Sequence, residues 1–376
     1  MMGPMRVAIL RRAPRASFSM DVYADSLVKG LKAVRPDWEI MEQSPVLGKA
    51  SSRQSNLLAG GRKYYERYWR YPRSLQRLDA DIFHVIDHSD GYLGYWLNFY
   101  KKKNVVTCHD LINLTQPESF KGRARFPVIS LSAWKFAVQG MQTADHVIAV
   151  SAHTKKDTVE HLAIASQKIT VVPNAVDPTF RLLSTDQTDS FREQMGLDRG
   201  TLCLLNVGSN NARKNVLTIL KVLASLKDQG LSAHFWKVGA DFDLEQQTYI
   251  KRHQLEDLTT YLGQPDEDKL VQIYNAADIL VAPSLYEGFG LTLLEAMACG
   301  TAVVAANVTA MPEVVGDAGV LIDPMDVDAI ATAIQDLSDN SAHRKVLIER
   351  GLKRVKQFTW EKTAEQVANI YEQVLR

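Results

Sequence analysis

Two glutamates eight residues apart frame the most chemically suggestive stretch of this chain: Glu287-Gly-Phe-Gly-Leu-Thr-Leu-Leu-Glu295. Gly288 and Gly290 allow a backbone to approach a ligand closely. A helix is expected to start near Leu291, and the free N–H groups and dipole of its first turn suit a diphosphate. Glu295 falls one turn into that helix, where a carboxylate can accept hydrogen bonds from vicinal hydroxyls such as those of a ribose. Glu287 falls on the loop, where it can meet a sugar. The plainer alternative is a tight turn followed by an ordinary amphipathic helix. However, Glu295 is flanked by Leu293, Leu294, Ala296 and Met297, neighbours that a solvated helix face seldom combines.

A second cluster lies in Asn206-Val-Gly208-Ser-Asn-Asn-Ala-Arg213-Lys214-Asn215. A glycine-containing loop with two adjacent cations at a helix start has the charge of a phosphate clamp. Basic residues are unfavourable at a helix N-terminus, so a bound anion would relieve the conflict. A third, Val-Val-Thr-Cys-His109-Asp110, ends a strand with a His-Asp pair, Asp110 serving to orient the imidazole or the loop. Ser151 reads as a helix N-cap, with His153 just behind it. The loop after the first strand carries Arg11, Arg12, Arg15, Ser17 and Ser19 and suggests an acceptor bearing negative charge. Three Asp-x-Asp triplets, at 79/81, 241/243 and 326/328, stand before a strand or at helix starts, where acids act as caps. No metal is expected on them.

The elements that must hold these residues alternate. Buried β-type runs are expected at 7–10, 82–86, 105–108, 147–150 and 169–172. The alternation restarts at 202–207, 234–238, 260–262, 279–282 and 302–305. Helical spacings fall between them, as in Tyr23, Leu27, Leu31 and Val34. Repeated β-α units imply an α/β class with parallel sheets covered on both faces. One restart in mid-chain implies two doubly wound domains, 1–180 and 185–357, joined by a polar linker from Pro173 to about Gly200. Such domains leave a crevice at the carboxyl ends of their strands, where ligands bind. Residues 43–62 read as a loop. A last amphipathic helix, 360–376, is expected to pack across a domain face.

The Glu-x7-Glu stretch resembles the signature of retaining GT-B glycosyltransferases of family GT4. The resemblance extends through Met311-Pro-Glu-Val-Val-Gly-Asp-Ala-Gly and Phe358-Thr-Trp-Glu361 and is strongest over about 201–325. It implies two Rossmann-like domains facing a central cleft, with the final helix returning to the first. Donor binding would fall to Gly208, Arg213, Lys214, Glu287, Gly288, Phe289, Gly290, Leu291, Thr292 and Glu295. Catalysis would fall to His109, Glu287, Arg213 and Lys214. Ser17, Ser19 and Asp110 would belong to an acceptor loop. Many relatives have an arginine shortly after the glycine of the second cluster, glycine at the Ala175 position and paired glycines in the first loop; this chain departs at all three. The implied reaction moves a sugar, of mannosyl or glucosyl type, from a GDP- or UDP-linked donor to a hydroxyl of a glycan or lipid-linked acceptor. No cofactor or metal is implied.

Composition narrows the remaining classes. Hydrophobic residues at 46% and charged residues at 23% exclude a disordered chain or a fibre. Cys108, Cys203 and Cys299 read as buried, reduced thiols. No apolar run is long enough to span a membrane, and no signal segment is visible, so a cytoplasmic protein is expected. Its formal charge of +1 hides a gradient: residues 1–180 hold 25 basic and 16 acidic side chains, whereas residues 181–376 hold 19 and 27. The basic half includes Gly61-Arg-Lys-Tyr-Tyr-Glu-Arg-Tyr-Trp-Arg-Tyr-Pro-Arg73, together with Lys121, Arg123 and Arg125. Interleaved cations and aromatics suit either a solvated helix or peripheral contact with an anionic membrane at its inner face. Nucleic acid is not expected, because no nucleic-acid-binding motif is present. The competing functions are a nucleotide-sugar epimerase, a phosphorylase, or a non-catalytic two-domain sugar-binding protein.

Overall fold

The computed structural model describes residues 4–13, 18–46, 64–115, 127–198 and 200–376. Two compact units divide the chain. The first comprises 1–173 with 360–376, and the second comprises 174–359. Residues 174–180, expected with the first domain, belong to the second, where the Val176 N–H donates to Phe358 O at 3.2 Å.

In the first unit, β1 (Arg6–Leu10), β2 (Glu39–Gln43), β3 (Ile82–Val85), β4 (Asn104–Cys108), β5 (His146–Ala149) and β6 (Ile169–Val171) form one sheet in the order β2-β1-β3-β4-β5-β6. In the second, β7 (Leu202–Gly208), β8 (Ala233–Gly239), β9 (Thr259–Tyr261), β10 (Ile279–Ala282), β11 (Ala302–Ala306) and β12 (Val320–Ile322) run in the order β12-β11-β10-β7-β8-β9. Every described pairing is parallel. The interior strands β3, β4, β10 and β11 are buried throughout; β10 and β11 read as continuous apolar runs, whereas β3 and β4 also bury His84, Asn104 and Thr107.

Three elements depart from the sequence expectation. β2 (Glu-Ile-Met-Glu-Gln) and β12 are edge strands, only partly buried, whose short or charged sequences carry little strand signal. The supposed linker contains the helix Thr185–Gln194, started by a reciprocal cap between Ser184 and Gln187 and anchored by the buried Phe191.

The final helix, Trp360–Leu375, packs on the first unit's sheet. Its Val367, Ile370 and Tyr371 are buried with Leu27, Leu31 and Ile82, and each such aliphatic burial contributes about 1.5–3 kcal/mol. The helix Phe18–Val34 approaches it closely at Gly30, where a Cβ would stand 2.8 Å from Ala364 Cβ. Arg35 then holds Glu365 at 2.8 Å and Glu372 at 3.0 Å. The Tyr371 hydroxyl lies 2.5 Å from His84 Nδ1, whose ring burial keeps neutral by lowering its pKa to about 3. All three cysteines are buried and free. No helix among the described residues is long and apolar enough to cross a membrane.

Candidate active site

In the second unit the strand order turns between β7 and β10, with β8 and β9 on one side and β11 and β12 on the other. The connections leaving the carboxyl ends of β7 and β10 diverge there, and that crevice is where open α/β sheets bind ligands. The two expected donor motifs are those two connections. They are stitched together by backbone: the Leu285 N–H donates to Arg213 O at 2.7 Å, and the Asn206 amide donates to Val281 O at 3.0 Å. Asn215, left-handed at φ 55°, donates to Pro283 O and Pro324 O.

Arg213 and Lys214 do not sit inside a helix. They occupy a separate 3-10 turn, Ala212–Lys214, capped by the Asn211 side chain, and the helix Val216–Asp228 begins only after Asn215. Both cations meet a carboxylate rather than a helix end. Glu287 Oε1 lies 2.7 Å from Lys214 Nζ, and Glu287 Oε2 lies 2.9 Å from Arg213 Nη1. Burial alone would raise the Glu287 pKa, but Lys214 and Arg213 hold it down to about 2. The Thr309 hydroxyl accepts from the Glu287 backbone N–H, and Arg213 also donates to Tyr286 O.

Gly290 caps the helix Leu291–Ala298 at φ 104°, a conformation that only glycine adopts freely. Glu295 is half-buried one turn in. The Tyr274 hydroxyl donates to its Oε2 at 2.6 Å, and burial raises the pKa of Glu295 against that bond. A small pocket is lined by Asn206, Lys214, Ser284, Glu287, Gly290 and Thr292. A larger groove on the same unit, lined by Arg181, Asp186, Gln187, Phe191 and Asp268 among others, shares no residue with it. The Phe289 side chain is buried, edge-on to Phe358 at 6.0 Å, which leaves only its backbone for the expected donor contact.

In the first unit His109 is buried at the end of β4. Its Nε2 donates to Ile86 O at 2.8 Å, leaving Nδ1 as the unprotonated nitrogen of the neutral ring. Burial lowers its pKa. Asp110 accepts from the Ile112 N–H at 3.2 Å, so it orders the loop, while the Ile86 carbonyl orients the imidazole. Arg11 and Arg12 are already paired, contrary to the expectation of a cationic loop open to an anionic acceptor. Arg11 meets Asp21, Asp25 and Glu42, and Arg12 lies 3.1 Å from Asp87. Burial would raise Asp87, but His88 and Arg12 hold it down to about 2. Ser19 is exposed, and Ser17 lies outside the described residues. Ser151 caps its helix through the Thr154 N–H as expected. Asp243 and Asp326 are helix N-caps, and Asp81 accepts from the Arg6 N–H.

Sequence reasoning missed Tyr274, Thr309, Asp87 and His88. Tyr274 sits at a core-facing position of its helix, and nothing in its spacing separates it from an ordinary packed aromatic.

The sequence model described as glycosyl transferases group 1 matches residues 187–354, and that described as glycosyltransferase family 4 matches residues 11–180. The O-antigen chain mannosyltransferase B of Escherichia coli is 34% identical over 297 residues, 76% of this chain and 75% of that protein. The chain belongs to glycosyltransferase family 4. Another similar protein for this glycosyltransferase is the serotype-specific mannosyltransferase WbdA of Escherichia coli, 27% identical over 77% of the chain, which spans only 36% of that protein's length. The glycosyltransferase has the GT-B architecture. HepE of Anabaena, solved in complex with UDP and glucose, superposes with a TM-score of 0.76 at 17% identity, covering 98% of this chain and all of the other.

Proposed function

We propose that this glycosyltransferase moves a hexose of mannosyl or glucosyl type from a GDP- or UDP-linked donor to a hydroxyl of a glycan or lipid-linked acceptor, with retention of anomeric configuration and without a metal or cofactor. The observation that carries this reading is the Arg213–Glu287–Lys214 cluster at the β7/β10 crevice, with Glu295 on the helix beside it. An ammonium has three N–H bonds and a guanidinium five, so both cations keep donors for phosphate oxygens beyond those engaged by Glu287. Their charge, fixed in a partly dry crevice, stabilises the diphosphate as it leaves, the role a metal fills in other enzymes. Glu295, with one lone pair taken by Tyr274, accepts from the ribose hydroxyls. Glu287 and the Gly288–Gly290 backbone place the sugar. His109 completes the proposed catalytic set. Mannosyl donors gain support from the names of the two Escherichia coli relatives, and uridine donors from the UDP held by HepE.

Thermal shifts with UDP, GDP, ADP and their common sugars test the donor site. A shift with none of them would sink the reading. Activity that EDTA abolishes and a divalent ion restores would overturn its metal-free part. An NMR coupling constant at the product's anomeric carbon decides retention, and His109→Ala should lower turnover without lowering nucleoside diphosphate affinity.

A membrane contact forms part of the proposal. On the first unit Tyr64, Tyr65, Trp69, Phe99 and Phe136 are exposed, Phe99 by 78%. Trp69 stacks edge-on to Trp96 at 5.5 Å and carries the Arg73 guanidinium 4.1 Å above its ring. Aromatic rings beside cations suit the headgroup region of anionic lipid. Lys121, Arg123 and Arg125 lie outside the described residues. Sedimentation with phosphatidylserine vesicles should be strong at low salt and weaken at high salt; none at low salt would remove this part.

A further inference from the structure

Lys237 is fully buried on β8, yet among the described residues no carboxylate bonds to its ammonium. Its Nζ donates to two carbonyls at 2.8 Å, those of Gly208 and Val238. Burial lowers its pKa and Lys214 lowers it further, against a pull upward from Asp241, to about 8. A cation held away from water with only carbonyls bonded to it is costly, and proteins keep such groups where an anion will arrive.

The surroundings show where that anion would be. Gly208 ends β7 at φ 145°, and a Cβ there would meet Lys214 Cε at 3.1 Å and Nζ at 3.3 Å. One lysine thus lies against the Gly208 α-carbon and the other against its carbonyl. Gly239 makes this possible, because a Cβ on it would stand 2.3 Å from Gly208 O. The same oxygen accepts from the Ala240 N–H at 3.1 Å. With the carbonyl fixed by two donors, the trans peptide directs the Ser209 N–H the opposite way. The intervening loop, Ser209 to Ala212, has no charge of its own.

We propose that Lys237 is a third cation of the diphosphate site, acting from behind Gly208 as a positioning residue that fixes the loop and adds positive potential without touching the donor. This rests on the reading of Arg213 and Lys214 as the diphosphate clamp.

The test is calorimetric binding of UDP and GDP, each beside uridine and guanosine, to wild type, Lys237→Met, Lys237→Gln and Lys214→Met. Both Lys237 variants should lose roughly tenfold in diphosphate affinity, with nucleoside affinity unchanged. Gln retains a donor but no charge, so its loss separates charge from hydrogen bonding. Unchanged diphosphate affinity in folded Lys237→Met, with affinity lost in Lys214→Met, overturns the Lys237 assignment alone. Unchanged affinity in Lys214→Met overturns the clamp reading beneath it.

Should neither Lys237 variant fold, the wild type decides. Lys214, Arg213 and Glu287 lie on the β7 and β10 side of Lys237, Asp241 follows its own strand, and Tyr261 on β9 donates to Gly239 O. Loss of the Lys237 proton removes its charge, so the ratio of diphosphate to nucleoside affinity should fall as pH rises between about pH 7 and about pH 9. A flat ratio overturns the proposal.

Discussion

Glu287 lies 2.7 Å from Lys214, so the carboxylate assigned to the sugar and the ammonium assigned to the diphosphate neutralise each other. The pair is pre-organised, since neither group must leave water when substrate binds.

The first prediction separates their roles. Glu287→Gln frees both cations from their internal anion while keeping the side chain's shape. Turnover should fall by about two orders of magnitude, the scale of losing one oriented polar group, while free nucleoside diphosphate binds as well or more tightly. Steady-state kinetics with calorimetry check this, and weaker diphosphate binding would show that Glu287 does not compete for the clamp.

Acid should act through the same residue. Burial raises and Lys214 and Arg213 depress the Glu287 pKa, with the net effect downward to about 2 from an ordinary 4.5. A depressed carboxylate contributes stability that is complete above its unfolded pKa and lost as pH falls through the folded one. The difference in melting temperature between wild type and Glu287→Gln should therefore shrink from about pH 5 towards about pH 2. A constant difference would mean that the ion pair adds no net stability.

Tyr274→Phe deletes one donor to Glu295 and nothing else. A hydrogen bond to a charged group contributes about 1.5–3 kcal/mol. If the ribose is held by Glu295, donor KM should rise roughly tenfold or more with a smaller change in kcat. An unchanged KM would remove Glu295 from the ribose.

Gly30 supports the return of the final helix. Val at this position would drive its Cβ into Ala364, with 2.8 Å available. Over-packing of this kind costs about 1–3 kcal/mol. Thermal unfolding should shift downward, while Gly30→Ala should cost less; a neutral Gly30→Val would mean that the two helices separate freely.

The parallel α/β class and its two repeats were legible because strands buried on both faces must be apolar along their length. β2 and β12 were not, since an edge strand needs neither alternation nor uniform burial. Arg213, Lys214 and both glutamates stood out in the sequence because charged residues beside glycines and apolar runs have few structural uses. The burial of the Phe289 side chain against Phe358 was not legible: a loop position carries no record of which way its side chain turns.

By itself the sequence determined which residues carry charge and chemistry, where strands and helices alternate, and to which family the motifs point. Only the tertiary structure decided who neutralises whom. Arg11 and Arg12 looked available and are paired; Lys237 looked like an ordinary strand residue and is a buried ammonium beside the clamp. Periodicity and propensity act over a few residues, whereas the field at Gly208 sums charges from β7, β8 and the β10 loop, brought together by the strand order β10-β7-β8.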